Sequence, residues 1–373
     1  MIAKKLVIYF NDVILILWVN YRPCFENRYK RRETPEMKFA AKIIGTGSAF
    51  PEKRMTNDDV AEELTKSGLE TNDQWIRERT GIAERRISTV ENEAELNSSL
   101  GARAAQKALE MAGCEPQEID QIIYATCSPD TPLPSTACWL QQKIGAHRAW
   151  AMDINAACSG FIYGVVTAEQ FIRSGHSKTV LVIGAEVLSH YINWQDRTTS
   201  IIFGDGAGAA IIEQVPARSR QRILSSYLLS DGTLSKLLFV PAGGSALEVT
   251  PERYAQNLHK IHMSGREIFK VAVRTLTECA LRSLEQARVP AVKLDWFVPH
   301  QANLRIIEAV ANRIGISKDK VIVNLDRYGN TSAATIPTAL DEAFRDGRIR
   351  EGQTVLTDAF GSGLTAGAMV FRL

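Results

Sequence analysis

Asp153-Ile154-Asn155-Ala156-Ala157-Cys158-Ser159-Gly160, running into the apolar stretch Phe161 to Phe171, decides how this chain folds and where its chemistry lies. Ala149-Trp150-Ala151-Met152 before it reads as a short strand, and Ile162, Val165, Val166, Glu169 and Ile172 after it recur at helical spacing up to a stop at Gly175. Cys158 therefore falls on a strand-to-helix turn, at the helix N-terminus. Unpaired N–H groups and the positive end of the helix dipole favour a thiolate there, and cysteines so placed have pKa values of roughly 3.5–7.5 instead of about 8.5. Small residues on both sides leave room for a substrate carbonyl. A buried, inert core cysteine is the competing reading of the same stretch.

Outward from this turn the chain has an ordinary soluble composition: 373 residues, 45% hydrophobic and 23% charged, long enough for two domains or one large duplicated one. Six cysteines (Cys24, Cys114, Cys127, Cys138, Cys158 and Cys279) include no C-x-x-C pair, which points to reduced thiols in the cytoplasm rather than a disulfide scaffold. Residues 1–36 differ from the rest. They hold seven of the 44 Lys/Arg and four of the 42 Asp/Glu, so the remainder carries a net charge of −1 and offers no basic body for nucleic acid. Leu6 to Val19 is too short to span a membrane, carries Asn11 and Asp12, and precedes the basic run Arg28–Arg32. Met37 directly precedes a clean strand, so residues 1–36 are expected to be an extension outside the fold, with Met37 a candidate true start.

From Lys38 onward the pattern is α/β. Strands are expected at Phe39–Gly45, Ile119–Thr126 and Thr179–Gly184, helices at Asn57–Leu64, Thr71–Arg79, Asn97–Met111 and Ser135–Ile144, and a hairpin-like pair across Ser200–Ile212 around Gly204-Asp205-Gly206-Ala207-Gly208. The second half repeats the first. ALEMAGCEPQEID (108–120) resembles LEQARVPAVKLD (284–295), Phe203-Gly204-Asp205-Gly206 recurs as Phe360-Gly361-Ser362-Gly363, and Cys158 and Asn330 each lie 17 residues before a glycine, Gly175 and Gly347. A duplication of this kind sets equivalent loops face to face, bringing Cys158 and Asn330 together. The joint between halves is expected at Pro216–Arg222, giving units 37–215 and 216–373.

Polar residues at the ends of strands carry the chemistry in such folds. His300 follows the buried run Trp296-Phe297-Val298-Pro299, Asn330 lies in Tyr328-Gly329-Asn330-Thr331-Ser332, and Asp358 to Gly363 forms a Gly-rich loop. A cysteine, a histidine and an amide suit carbon–carbon bond formation on thioesters: the sulfur takes an acyl group, and imidazole and amide N–H groups steady the enolate left when a malonyl thioester loses carbon dioxide. Backbone N–H groups of Cys158 and Ser362 are candidates for an oxyanion hole. His259-x-x-His262 has no evident third ligand, so no metal is expected. The Gly204–Gly208 run is read as tight strand packing, not a nucleotide loop, because no helix follows it.

Six blocks in order then carry a resemblance over residues 38–373: Ile44-Gly45-Thr46-Gly47-Ser48, Trp75-Ile76 through Arg79-Thr80-Gly81-Ile82, Ala156 to Phe161, IFGDGAGAA (202–210), VPHQANLRI (298–306) and DRYGNTSA (326–333). The chain resembles β-ketoacyl-acyl-carrier-protein synthase III, the initiating condensing enzyme of dissociated bacterial fatty-acid synthesis. The resemblance implies a thiolase-like duplicated fold, two similar halves in a five-layer αβαβα sandwich, acting as a homodimer. It implies that an acyl-CoA primer acylates Cys158, and that His300 and Asn330 promote decarboxylation and condensation of malonyl-acyl-carrier protein. No cofactor is implied, CoA thioester being a substrate. Trp75 and Arg197 would stack on the CoA adenine, Arg79 would meet the CoA phosphates and Asn303 the pantetheine. Lys270, Arg305 and Arg313 resemble the basic face that receives the acidic carrier protein, and Leu133 and Phe360 line the acyl pocket. Leu133 stands where well-known acetyl-specific members have Phe, which puts acetyl specificity in doubt. Competing readings are a Cys-His-Asn hydrolase, a non-catalytic CoA- or nucleotide-binding protein, and a related polyketide-type or hydroxymethylglutaryl-CoA synthase.

Overall fold

Gln121–Ala125 is buried along its whole length, as a strand must be when it is covered on both faces and paired in parallel on both edges. In this computed structural model, which describes residues 2–10, 13–21, 38–89 and 91–373, that strand lies inside the first of two matching sheets. In chain order the principal elements are β1 (Phe39–Ala49), α1 (Asp73–Thr80), α2 (Asn97–Ala112), β2 (Gln121–Ala125), α3 (Thr136–Ile144), β3 (Trp150–Ile154), α4 (Gly160–Arg173), β4 (Thr179–Glu186) and β5 (Gly206–Pro216), then β6 (Arg222–Ser230), α5 (Gly265–Ala287), β7 (Trp296–Pro299), α6 (Leu304–Ile314), α7 (Thr335–Arg345), β8 (Thr354–Gly361) and β9 (Thr365–Arg372).

The first sheet has the order β1-β5-β4-β2-β3 and the second β6-β9-β8-β7. Each has a parallel core and two antiparallel pairings toward one edge, so β6, β9, β8 and β7 repeat β1, β5, β4 and β2. The fifth position, β3 in the first sheet, is reduced in the second to a single parallel bridge from Phe297 to Val321. The chain leaves β3 for Cys158 and leaves the Val321 bridge for Asn330. Helices α4 and α7, which follow these two residues, both end at left-handed glycines, Gly175 at φ 78° and Gly347 at φ 77°.

Three hydrophobic clusters define five layers. One packs α2 and α3 on the outer face of the first sheet, with Leu100, Ala104 and Ala108 against Ile122, Leu181 and Ile211. A second buries α4 and α7 between the sheets, with Phe161, Val165, Ile336 and Leu340 touching residues of both. The third packs α5 and α6 on the outer face of the second sheet through Leu276, Cys279, Val310 and Ile314. The αβαβα order expected for the fold is what these clusters form. Separately, Ile2–Phe10 pairs antiparallel with Val13–Tyr21 within a unit of its own, Met1–Met37. The run Arg28–Arg32 and the candidate start Met37 lie outside the described residues. Among the described residues no helix is long and apolar enough to cross a membrane.

One expectation needs correction. Ser200–Ile212 is not a hairpin: Arg197–Ser200 is a short helix, and Gly206 onward is the single strand β5. The turn between them is held by Asp205, whose buried carboxylate accepts from Ser88 N (2.7 Å), Ser189 N (2.9 Å) and the Ser189 hydroxyl (2.6 Å), bonds that a second strand would not leave available. The Gly204–Gly208 run is packed tightly, as expected; a Cβ on Gly208 would lie 2.7 Å from Pro337 of α7.

Space at Gly184 of β4 is tighter still, since a Cβ there would sit 2.1 Å from the Ala333 carbonyl oxygen. Neither backbone can yield without breaking its sheet or the start of α7. Gly184→Ala is therefore expected to lower stability by about 3 kcal/mol, read as a fall in the urea midpoint; an unchanged midpoint would show that this contact is slack.

Candidate active site

Cys158 lies in the short turn Ala157–Ser159 between β3 and α4. Ala157 is forced to φ 46°, the left-handed region that a side chain disfavours, and Gly329, which precedes Asn330 at the equivalent place, has φ 64°. The turn is tied to the far sheet: Ser159 Oγ donates to Thr365 O (3.1 Å) and Thr365 Oγ1 donates to Ala156 O (2.8 Å). Gly361, the last residue of β8, comes so close that an added Cβ would lie 2.7 Å from Cys158 N. This brings the Ser362 loop up to the nucleophile's own amide.

The expected thiolate is not the resting form. Cys158 is only 6% exposed, and burial pushes its thiol up to about 12, with the Glu186 carboxylate adding to the rise. Hydrogen bonding from Ser332 and from the backbone amide pulls the other way without overcoming it. The helix N-terminus is real, but desolvation of the sulfur outweighs it.

His300 follows β7 directly. Its amide donates to Asp358 O of β8 (2.8 Å), which fixes the residue beside the end of that strand. Its Nδ1 meets Thr335 Oγ1 at 2.7 Å, and burial holds the ring's pKa down to about 3, so the imidazole is neutral. Asn330 is clamped by its backbone between Ile202 O (2.9 Å) and Gly204 N (3.1 Å). Its Oδ1 accepts from Ser332 N at 2.8 Å, leaving Nδ2 as the free end of the amide. His300 and Asn330 are each 5% exposed. His300 Nε2 and Asn330 Nδ2 have no hydrogen-bond partner among the described residues, yet neither belongs to the polar atoms sealed from solvent.

The turn Ser332–Ala334 joins the three. It packs against Ala157–Ser159, receives the Thr335 hydroxyl at Ser332 O (2.9 Å), holds Asn330 through the Ser332 amide, and turns the Ser332 hydroxyl toward Glu186 Oε1 (3.0 Å). Ser332, at φ 51°, is the second non-glycine residue of this region in the left-handed conformation.

The remaining expected residues form two groups. The Arg79 and Arg197 guanidinium carbons lie 4.0 and 4.4 Å from the centre of the Trp75 ring, so the indole is already covered by cations. Asn303 joins this cluster, donating from Nδ2 to Arg79 O (2.9 Å) while its Oδ1 caps α6 at Arg305 N (2.9 Å). Lys270, Arg305 and Arg313 are exposed on α5 and α6, two helices packed together, with Arg305 lying 5.7 Å from the Phe269 ring. Phe360 is buried in the outer cluster of the second sheet, and Leu133 is 86% exposed. Ser362 donates its hydroxyl to Leu238 O.

Sequence reasoning missed Glu186, Ser332 and Thr335. The signal for Glu186 was present as a lone carboxylate closing the apolar strand Thr179-Val180-Leu181-Val182-Ile183-Gly184-Ala185.

The chain is similar to known proteins over most of its length. The family model described as 3-oxoacyl-[acyl-carrier-protein (ACP)] synthase III matches residues 152–232, and the model of the C-terminal part of the same synthase matches 284–373. The chain is 49% identical to the β-ketoacyl-[acyl-carrier-protein] synthase III of Clostridioides difficile, over 90% of this chain and 99% of that protein. It is 48% identical to the enzyme of the same description from Caldanaerobacter subterraneus, over 90% of this chain and 98% of the relative. The crystal structure of 3-oxoacyl-[acyl-carrier-protein] synthase III from Aquifex aeolicus superposes with a TM-score of 0.80 at 43% identity, covering 89% of this chain and all of that one.

Proposed function

Since the chain belongs to the β-ketoacyl-[acyl-carrier-protein] synthase III family and initiates fatty-acid synthesis by condensing an acyl-CoA with malonyl-acyl-carrier protein, we propose that Cys158 holds the acyl group while His300 and Asn330 hold the enolate. The Cys158 sulfur attacks the acyl-CoA carbonyl, CoA leaves as its thiol, and a thioester remains on the enzyme. Malonyl-acyl-carrier protein then loses carbon dioxide. The electron pair of the broken C–C bond becomes an enolate whose oxygen takes hydrogen bonds from His300 Nε2 and Asn330 Nδ2. Its carbon attacks the Cys158 thioester, the tetrahedral oxyanion is met by the amides of Cys158 and Ser362, and the sulfur departs as 3-oxoacyl-acyl-carrier protein forms.

The observation that carries this reading is the pair of unpartnered side-chain nitrogens, His300 Nε2 and Asn330 Nδ2, on side chains whose other ends are pinned by one turn, His300 through Thr335 and Asn330 through Ser332; Nε2 carries the ring proton when the Thr335 hydroxyl turns from Ser332 O to donate to His300 Nδ1. A neutral ring with a fixed far edge is suited to donate a hydrogen bond without acting as a strong acid. Trp75, Arg79, Arg197 and Asn303 form the CoA-binding cluster, and Lys270, Arg305 and Arg313 the docking face for the acidic carrier protein. No cofactor enters the scheme, and the enzyme works in the cytoplasm.

Incubation with radiolabelled acetyl-CoA tests the assignment. Labelled enzyme is expected first, and labelled 3-oxoacyl carrier protein once malonyl-acyl-carrier protein is added. Free acetate released at the same rate without the malonyl partner would instead mark a hydrolase.

A homodimer is part of this proposal. Leu133 stands exposed in the loop Thr131–Ser135, and the half-exposed Trp139 is bonded to the same loop through Nε1 to Thr131 Oγ1 at 3.3 Å. Apolar side chains presented together in this way suit a partner surface in which Leu133 caps the other subunit's acyl pocket. Leu133→Phe is then expected to narrow the primer range, cutting isobutyryl-CoA use relative to acetyl-CoA by about tenfold. Equal ratios in the two proteins would remove Leu133 from the pocket.

A further inference from the structure

Arg85, on the short strand Glu84–Arg86, is fully buried and forms no ion pair among the described residues. Its neighbour Glu84 pairs with Arg54 instead, and Asp59 accepts from Thr56. Burial lowers the guanidinium's pKa only to about 10, so it stays charged near neutrality. A cation sunk without a carboxylate opposes folding, and an apolar side chain of similar volume would fill the same space more favourably. What an apolar side chain could not do is bond to two separate segments at once.

Arg85 Nη2 donates to Ile201 O (2.8 Å) and Nη1 to Asn57 Oδ1 (2.9 Å). The first bond holds the segment that clamps Asn330. Ile202 O, one residue on, accepts from Asn330 N (2.9 Å), and Gly204 N donates to Asn330 O (3.1 Å). The second bond leads to α1: Asn57 Nδ2 donates to Asp73 Oδ1 (2.8 Å), at the start of the helix that bears Trp75 and Arg79, and to Ile82 O (2.8 Å) just beyond it. The stem of Arg85 is seated as closely. A Cβ on Gly204 or Gly329 would lie 3.0 or 3.3 Å from Arg85 Cβ, so the glycine preceding Asn330 and the one bonded to it both leave room for this side chain.

We propose that Arg85 is a positioning residue that sets the CoA-binding cluster and the Asn330 amide in one register. It touches no substrate. Its planar fork carries separate N–H groups in a fixed relation, which lets one side chain hold Ile201 O and Asn57 Oδ1 together; a lysine ammonium is a single point on a flexible stem and does not reproduce that fork. Loosening the Ile201 bond frees the segment that aims Asn330 Nδ2 and is felt in the malonyl half-reaction. Loosening the Asn57 bond frees α1 and is felt in the CoA half-reaction.

This inference rests on the CoA-binding role of the Trp75 cluster and the enolate-holding role of Asn330, and the two half-reactions are therefore read separately in the full-length protein. Arg85→Lys is expected to raise the KM for acetyl-CoA in acylation of Cys158 about tenfold and to lower the single-turnover rate of malonyl decarboxylation on the acylated enzyme by about tenfold. Asn57→Asp keeps an oxygen for Arg85 and removes only the donor to Asp73 and Ile82 O. It is expected to raise the KM for acetyl-CoA about tenfold with decarboxylation at the wild-type rate, and it tests the proposal even where Arg85→Lys fails to fold. A wild-type KM in Asn57→Asp would overturn the proposal. So would an Arg85→Lys protein whose losses follow only the fraction unfolded, with KM unchanged. Failure of the underlying reading looks different: a wild-type KM in Trp75→Ala would remove the CoA cluster, and an undiminished decarboxylation rate in Asn330→Asp would remove the enolate donor.

Discussion

Cys158→Ala is expected to leave a folded protein that takes no label from acetyl-CoA and condenses at least about 10⁴-fold more slowly than the wild type. The magnitude follows from what is lost. Without the sulfur there is no thioester on the enzyme, and the condensation would have to join two carrier-bound groups in a single encounter. The substitution is mild for the fold: the side chain is small, sits in a turn flanked by Ala156, Ala157 and Ser159, and makes no bond to the Thr365 contacts that tie the turn down. Thermal unfolding close to wild type, with acyl-enzyme absent from the intact-mass spectrum, is the expected pair of results. A labelled Cys158→Ala protein would transfer the role to another thiol, Cys127 being a candidate through its contact with Glu186 (Sγ to Oε1 3.3 Å) beside the same turn.

The second large effect separates the half-reactions. Asn330→Asp keeps an oxygen to accept from Ser332 N but replaces the Nδ2 donor with a carboxylate oxygen, so the turn is held while the enolate loses a hydrogen bond and meets a negative charge. Decarboxylation of malonyl-acyl-carrier protein on the acylated enzyme is expected to fall by about 10²–10³-fold, and acyl transfer from acetyl-CoA to Cys158 to change little. His300→Ala is expected to fall by a similar factor in the same step. The double variant should lose less than the product of the two, because both donors serve one oxygen. Burial keeps the pKa of His300 down to about 3, so the deficit of His300→Ala should not vary across the neutral range. Single-turnover assays of each half-reaction measure this. Equal losses in both halves would mean that these residues shape the turn rather than the enolate.

Much of this site could be read from the chain before any coordinates. The strand-turn-helix around Cys158, the strand before His300 and the Gly-flanked Asn330 are local features, written in apolar periodicity and turn residues, and the repeat of a 17-residue interval tied two of them together. The duplication also anticipated the paired sheets. The protonation of Cys158 was not legible. A helix N-terminus is visible in sequence, but the depth of burial that opposes it depends on β8, β9 and the Ser332 turn, all more than 150 residues away. Glu186, Ser332 and Thr335 escaped for the same reason: each is unremarkable in its own segment, and the network appears only when β4 lies beneath the start of α7. The hairpin expected at Ser200–Ile212 failed because glycine and alternation were visible there, whereas the partners of Asp205 were not.

Ala157 shares a positive φ with Gly329, its counterpart in the second half. Holding an alanine there opposes folding by roughly 1–2 kcal/mol. Breeding for heat resistance alone would thus be drawn to glycine at this place, and would harvest sturdier proteins with a looser sulfur and poorer turnover. Any such campaign on this scaffold has to screen for product as well as for survival.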